Sequence, residues 1–335
     1  MQPRVHYLRE RTKALNPLTN ALEKTKEAWD FFFHRKSNLG IFAPIRIGYA
    51  VFLLINVLMW WPYLDVWFGE DGVVPLSVSK QIVDPDALTL FEFLPQTSTA
   101  LWACYLVLIF NTVALAFGFL TRLQLFSIFV LYNSFIHRNV LIVDGEDTVF
   151  RLMAFYLFFS PSGYYFSVDN WLRKNINWPK KQSASTDESP PLQEFAIWPL
   201  RLIQIQTASI VLFSVFEKLN GVEWRDGTAL YYVSRLDDLF YRFPLPSFLF
   251  ESMIFIKIMT WATLCVELSA PIAVWFKPTR IPALAILFCF HLSLEYTMNL
   301  NLFQWLMILG WCSFLQPGDF EFIKKTIGIK AKARN

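Results

Sequence analysis

The chain has 335 residues, of which 55% are hydrophobic and 18% aromatic against 17% charged, with a formal net charge of +3. This composition describes a polytopic membrane protein rather than a water-soluble domain. The positive residues form no stripe interleaved with exposed aromatics, so nucleic acid is not an expected partner and membrane lipid is.

The opening stretch MQPRVHYLRERTKAL is charged throughout and has no apolar run before a small-residue cleavage site, so no cleavable signal peptide is expected in it. Residues 1–35 read as a cytoplasmic arm. In it Leu18, Leu22, Trp29, Phe32 and Phe33 lie near one helical face, with Glu and Lys opposite, the pattern of an interfacial amphipathic helix. Eight runs then have the apolar length or near-length of a span: 42–62, 100–119, 122–139, 148–164, 197–217, 253–276, 281–299 and 302–317. The run 148–164 is short enough to need neighbours or a thinned bilayer. The fold class is therefore an all-α, polytopic membrane bundle of about eight transmembrane helices over residues 36–317.

Charge orients it. With both termini cytoplasmic, 20 of the 30 basic residues fall on the cytoplasmic side, in the arm, at Arg122, in the loop 172–195, at Lys277 and Arg280, and in the basic tail 318–335. Two long loops, 63–99 and 218–252, then face outward. Both are rich in Asp, Pro and aromatics, as expected of caps over an outward-facing site. The inward stretch KKQSASTDESPP reads as a flexible linker. The four cysteines, Cys104, Cys265, Cys289 and Cys312, all lie in apolar runs without a CxxC pair and read as packing.

Ionisable groups at membrane depth cost enough to require a partner or a purpose. Asp147 and Arg151, four apart on one face, are expected to pair. Arg201 and Gln204 share a face near the cytoplasmic end, where Arg201 reads as packing or a headgroup contact. The sixth run carries Lys257 and Glu267. The seventh carries His291, Glu295 and Asn299 at i, i+4 and i+8, one stripe that reads as structural hydrogen bonding or as the wall of a substrate cavity. His291 and Glu295 could share a metal ion, but further ligands are lacking and no metal is expected. GxSxG, HExxH and a phosphate-cradling glycine loop are all absent from the sequence. Lys218, on the outward side of the fifth run, is the leading candidate base, because apolar surroundings disfavour the charged amine.

Three stretches, NSFIHRNVLIVDGEDTVFRLMAFYLFFSPSGYYFSVDNW (133–171), RLIQIQTASIVLFSVFEKLNGVEWRDGTALYYV (201–233) and FHLSLEYTMNLNLFQWLM (290–307), agree in order and spacing with one family. On them the chain resembles the horizontally transferred transmembrane domain (HTTM) family, whose best-known relative is the vitamin K-dependent gamma-carboxylase. The resemblance implies that Lys218, followed by Leu219, Trp224, Asp226 and Gly227, is a catalytic base. It would deprotonate a reduced naphthoquinone (vitamin K or menaquinol) for oxygen-dependent carboxylation of glutamyl side chains of a secreted peptide or protein. Asp226 would orient or tune the lysine and Trp224 would wall the pocket. Asp147 with Arg151 would brace the opposite side, with His291 as a further candidate and Glu295 and Asn299 beside it. The chain departs from the carboxylase in two respects. It offers Glu146, Asp147 and Thr148 where that enzyme has an active-site histidine, and no large β-rich domain is expected after the last run, so a protein substrate would need a partner for recruitment.

The resemblance leaves other readings open. One is an accessory, non-enzymatic membrane protein serving maturation or export of a secreted peptide, together with a partner protein. Another is a transporter built on the polar stripe. The expected location is a bacterial inner membrane, or the endoplasmic reticulum membrane in a eukaryote.

Overall fold

The computed structural model describes residues 19–319 except 38, 84–86, 88, 176–193, 237–238, 241, 244 and 317. Leu18, most of the loop 172–195 expected to be a linker and nearly all of the basic tail lie outside the described residues. The rest is nearly all helix: α1 over 19–33, α2 Phe42–Trp60, α3 Ser98–Phe117, α4 Thr121–Arg138, α5 Gly145–Phe159, α6 Trp198–Asn220, α7 Met253–Ala273, α8 Arg280–Thr297 and α9 Phe303–Cys312. A two-residue antiparallel pair, β1 (Lys36–Ser37) and β2 (Phe195–Ala196), ties the end of α1 to the start of α6.

Helix boundaries follow local chemistry. Thr97 and Ser252 cap α3 and α7 with side-chain oxygens. Asp144 and Asp147 form a reciprocal capping box on α5. Pro199 sits in the first turn of α6, where its missing N–H costs nothing. Each apolar run is thus helical over most of its length. Among the described residues four helical stretches are long and apolar enough to cross a bilayer: Phe42–Phe68, Ser98–Phe117, Trp198–Asn220 and Met253–Ala273. α5 has 15 residues and α9 has 10, giving only about 22 Å and 15 Å of rise. α5 stops early because Pro161 holds Ser160 in extended backbone. α1 is exposed along most of its length, Trp29 and Phe31 included, and only Phe32 and Phe33 near its end turn partly inward.

Two apolar cores are packed side by side. One joins α2, α3, α4 and α5 around Tyr49, Tyr105, Phe135 and Phe150. Trp60 stacks on Tyr132 within it, ring centroids 5.6 Å apart. The other joins α6, α7, α8 and α9 around Val274, Leu287 and Trp311. The outer surface carries exposed Phe110, Phe213, Phe216 and Ile254, which suits lipid contact.

Two fully buried arginines fix the loops at opposite ends of the first core. Arg46 donates to the carbonyls of Ser162 (2.5 Å), Tyr165 (3.3 Å) and Phe166 (2.6 Å). Gly118 (φ 68°) makes the tight turn beside it, and a Cβ there would stand 2.4 Å from Ser167 Cβ and 2.9 Å from the Arg46 guanidinium. At the other end Arg138 donates to Val74 O (2.7 Å) and Gly69 O (2.8 Å), and Asn139 to Trp67 O (2.8 Å). The start of the 63–99 loop is therefore seated on the bundle. Arg46→Ala strips donors from three carbonyls, one of them in the buried residue Ser162, and should lower stability by about 3 kcal/mol. Thermal unfolding in detergent micelles reads that loss, and an unchanged midpoint would contradict it.

Candidate functional site

Ser214 and Lys218 are four apart on α6, and both turn toward α7. Lys218 Nζ lies 2.6 and 2.5 Å from the two oxygens of Glu267 and 3.2 Å from Ser214 Oγ. The Lys218 side chain is 23% exposed and that of Glu267 7%, so a bidentate, charge-assisted pair forms in a largely dry setting. Trp224 puts its ring 5.3 Å from the ammonium. It is carried by a short helix, Val222–Asp226, that starts immediately after Gly221.

Lys218 closes α6 but does not stand at the end of the bundle. The chain beyond it continues along α7 toward that helix's N-terminal end: Leu230 N–H donates to Thr260 Oγ1 (3.2 Å). Gly227 (φ 86°) sits so close to Lys257 and Trp261 that a Cβ would meet them at 3.0 Å. Glu267 is 14 residues from Met253, about 21 Å along α7. The ion pair is therefore recessed well below the N-terminal end of α7.

A cavity of about 530 Å³ opens beside the pair. Most of its wall is apolar, including Val211, Phe240, Leu249, Phe255, Phe290 and Phe303, while Ser214, Lys218, Glu267, His291 and Gln304 supply polar groups. α7 and α8 pack through Ala270, Val274, Ala283 and Leu287. Toward the other end they part, with Met259 and Ser293 on both the cavity wall and the outer surface. The volume and lining match a site for a small apolar molecule with one reactive polar position.

The residues singled out in the sequence divide between this cavity and other places. Lys218, Trp224 and His291 line it. His291 has both nitrogens engaged: Trp311 Nε1–H donates to Nε2 at 2.9 Å, which leaves Nδ1 as the donor to Gln304 Oε1 at 2.6 Å. That is a neutral, fixed imidazole, which holds α8 to α9. Asp226 is exposed and bonded to Thr228, whose hydroxyl and N–H hold its carboxyl below the usual carboxylate range. Its bonds go to that turn, while Lys218 bonds Glu267 and Ser214. Glu295 pairs with Arg242 at 2.5 Å, and Asn299 gives its backbone N–H to Leu239 O.

Asp147 and Arg151 are not within ion-pairing distance of each other among the described residues. Asp147 accepts from Tyr132 OH (2.5 Å) and caps α5, while Arg151 donates to Asn133 (3.2 Å). The neighbouring Glu146 is buried and accepts from Asn56 (3.3 Å) and from Leu302 N–H (3.0 Å). This second polar cluster adjoins the cavity through the segment that carries Leu300 and Phe303 on the cavity wall, on either side of Leu302. The sequence reading missed the Lys218–Glu267 pairing. The signal was present, since an acidic residue inside an apolar run requires a basic partner, but spacing along two helices does not reveal which one.

Among the described residues no group of three His, Cys, Asp or Glu side chains could hold a metal ion. The HTTM domain family model matches residues 76–318, a stretch that contains every residue lining the cavity. No solved structure matches the chain.

Breaking the pair from one side leaves a buried unpaired charge, so Lys218→Met and Glu267→Leu should each cost about 3–5 kcal/mol. The double variant Lys218→Met/Glu267→Leu should recover most of that loss. Melting temperatures of the four proteins in nanodiscs give the coupling, and additive losses would show that the two side chains do not interact.

Proposed function

The chain belongs to the HTTM domain family and is an integral membrane protein, and on that premise we propose that it is a carboxylase-like enzyme whose reacting centre is Lys218. The observation that carries this reading is the placement of one amine, hydrogen-bonded to a carboxylate, on the wall of an otherwise apolar cavity. A reduced naphthoquinone fits that wall. Its rings would lie against Phe255, Phe290 and Phe303, and a hydroxyl would meet Lys218. When bound, the quinol supplies the oxygen-dependent oxidation that drives proton removal from a glutamyl γ-carbon.

What the chain supplies is proton handling and exclusion of water. Glu267 is positioned to accept a proton from Lys218 Nζ, which leaves a neutral amine with a free lone pair facing the cavity. Ser214 and Trp224 limit where Nζ can point. The apolar wall keeps bulk water from competing for the proton. Glu146 and Asp147 stand where the carboxylase has a histidine, and their hydrogen bonds to α9 and Tyr132 give them an organising role.

The bidentate pair also supports a second reading. A lysine locked to Glu267 pins α6 to α7, and the cavity then serves as a binding pocket in an accessory protein that matures or exports a secreted peptide with a partner. Reduced naphthoquinone, oxygen and bicarbonate given to the protein in nanodiscs separate the two. The enzyme forms quinone epoxide, and Lys218→Ala lowers the rate about 100-fold or more. Absence of epoxide with every quinol offered would favour the accessory role.

The same reading places all eight of α2 to α9 across the bilayer with both termini cytoplasmic, in a bacterial inner membrane or the endoplasmic reticulum. In a cysteine-free background, a cysteine at Lys80 should then react with an impermeant maleimide from outside, and one at Arg122 only after permeabilisation. The opposite pattern would invert the topology.

A further inference from the structure

At the end of the bundle away from Lys218, three arginines converge. Arg35 follows α1, Arg201 lies in the first turn of α6, and Arg280 starts α8. The β1–β2 pair and the bond from Ile197 N–H to Arg35 O (3.1 Å) bring the first two together. Arg35 and Arg280 both act electrostatically on Arg201.

Their charge is not balanced. Among the described residues a single carboxylate, Asp319, lies within ion-pairing distance of any of the three, 3.5 Å from Arg280. Arg201 is held by neutral groups: it donates to Phe32 O (3.2 Å) and Gln204 Oε1 (2.8 Å), with its guanidinium 4.4 Å over the Phe32 ring and 5.7 Å from that of Trp275. Arg35 Nε is buried with no hydrogen-bond partner among the described residues. A half-buried cluster of excess positive charge with an unused N–H favours an anion that completes it.

The surroundings say which kind of anion. Trp29 and Phe31 are exposed on α1 just before Arg35, and Phe276 is exposed just before Arg280. The turn from α7 to α8 carries Trp275 under Arg201 on one face. On the next face Phe276 and Thr279 help to form an open apolar groove that runs along α7 past Ile272 and Leu268. Guanidinium forks match phosphate oxygens, and exposed apolar surface beside them suits acyl chains. We propose that Arg35, Arg201 and Arg280 hold the phosphate of an anionic phospholipid, with an acyl chain along the Leu268–Phe276 groove. The lipid docks α1 to the starts of α6 and α8. The site is independent of any chemistry at Lys218.

The test is native mass spectrometry of the full chain released from nanodiscs of phosphatidylglycerol and phosphatidylcholine in equal parts. A phosphatidylglycerol adduct should persist, and Arg201→Gln and Arg35→Gln should each reduce it about tenfold, as expected for one charge-assisted hydrogen bond. Lys80→Gln, a basic residue in the 63–99 loop, should leave it unchanged. Equal retention of the two lipids, or an adduct undiminished in the arginine variants, overturns the proposal. So does protection by inorganic phosphate alone without lipid retention, which would assign the cluster to a free anion. Circular dichroism checks each variant, and if Arg201→Gln loses its helices, Arg35→Gln decides.

Discussion

A charge that is kept from water must find its counterpart inside the protein, and this constraint shapes the whole bundle. Lys218 and Glu267 are its clearest case. Neither would be tolerable alone among the phenylalanines that line the cavity, and together they lock the end of α6 to the middle of α7. Because the pair is recessed, the chain that follows runs on beside α7, and at Gly227 the backbone lies close against the Trp261 indole. The cavity is what remains between that segment, the parted ends of α7 and α8, and α9.

The same requirement is met differently by the buried arginines. Arg46 and Arg138 spread their donors over backbone carbonyls, with Glu70 3.8 Å from Arg138 as a more distant carboxylate, and this also satisfies loop groups that would be orphaned in an apolar setting. Each therefore turns a loop into part of the core. Glu146 works in the opposite sense, accepting the N–H of Leu302 at the start of α9 and so joining the two cores. In a bundle whose outer surface also carries many large apolar side chains, burial of oily side chains specifies position weakly. These polar contacts supply the specificity.

Much of the fold was legible in the sequence for that reason. The apolar runs located the helices, although the run 148–164 continues through Pro161, before which α5 has already stopped. The candidate site was legible in part. Lys218, Trp224 and His291 share the cavity, but the stripe from His291 to Asn299 does not enter it as a unit. Only His291 lines the cavity, while Glu295 turns to Arg242. Asp147 shows the same limit. Its spacing from Arg151 permits a pair, yet the capping box and Tyr132 take its oxygens first, since a buried carboxylate gains more from fixed donors at hand than from a flexible guanidinium.

By itself the sequence determined that the protein is a helical membrane bundle, where its helices lie, and that a lysine stands in apolar surroundings near the end of one of them, because length, hydropathy and helical period are local properties. The tertiary structure decided which charge answers which. Glu267 was one of several acidic groups within apolar runs, and only the packing of α6 against α7 brings it to Lys218, just as only the β1–β2 pairing brings Arg35 beside Arg201. Partner choice between distant segments depends on three-dimensional distance and on the loss of water around both groups, and neither is written in residue spacing.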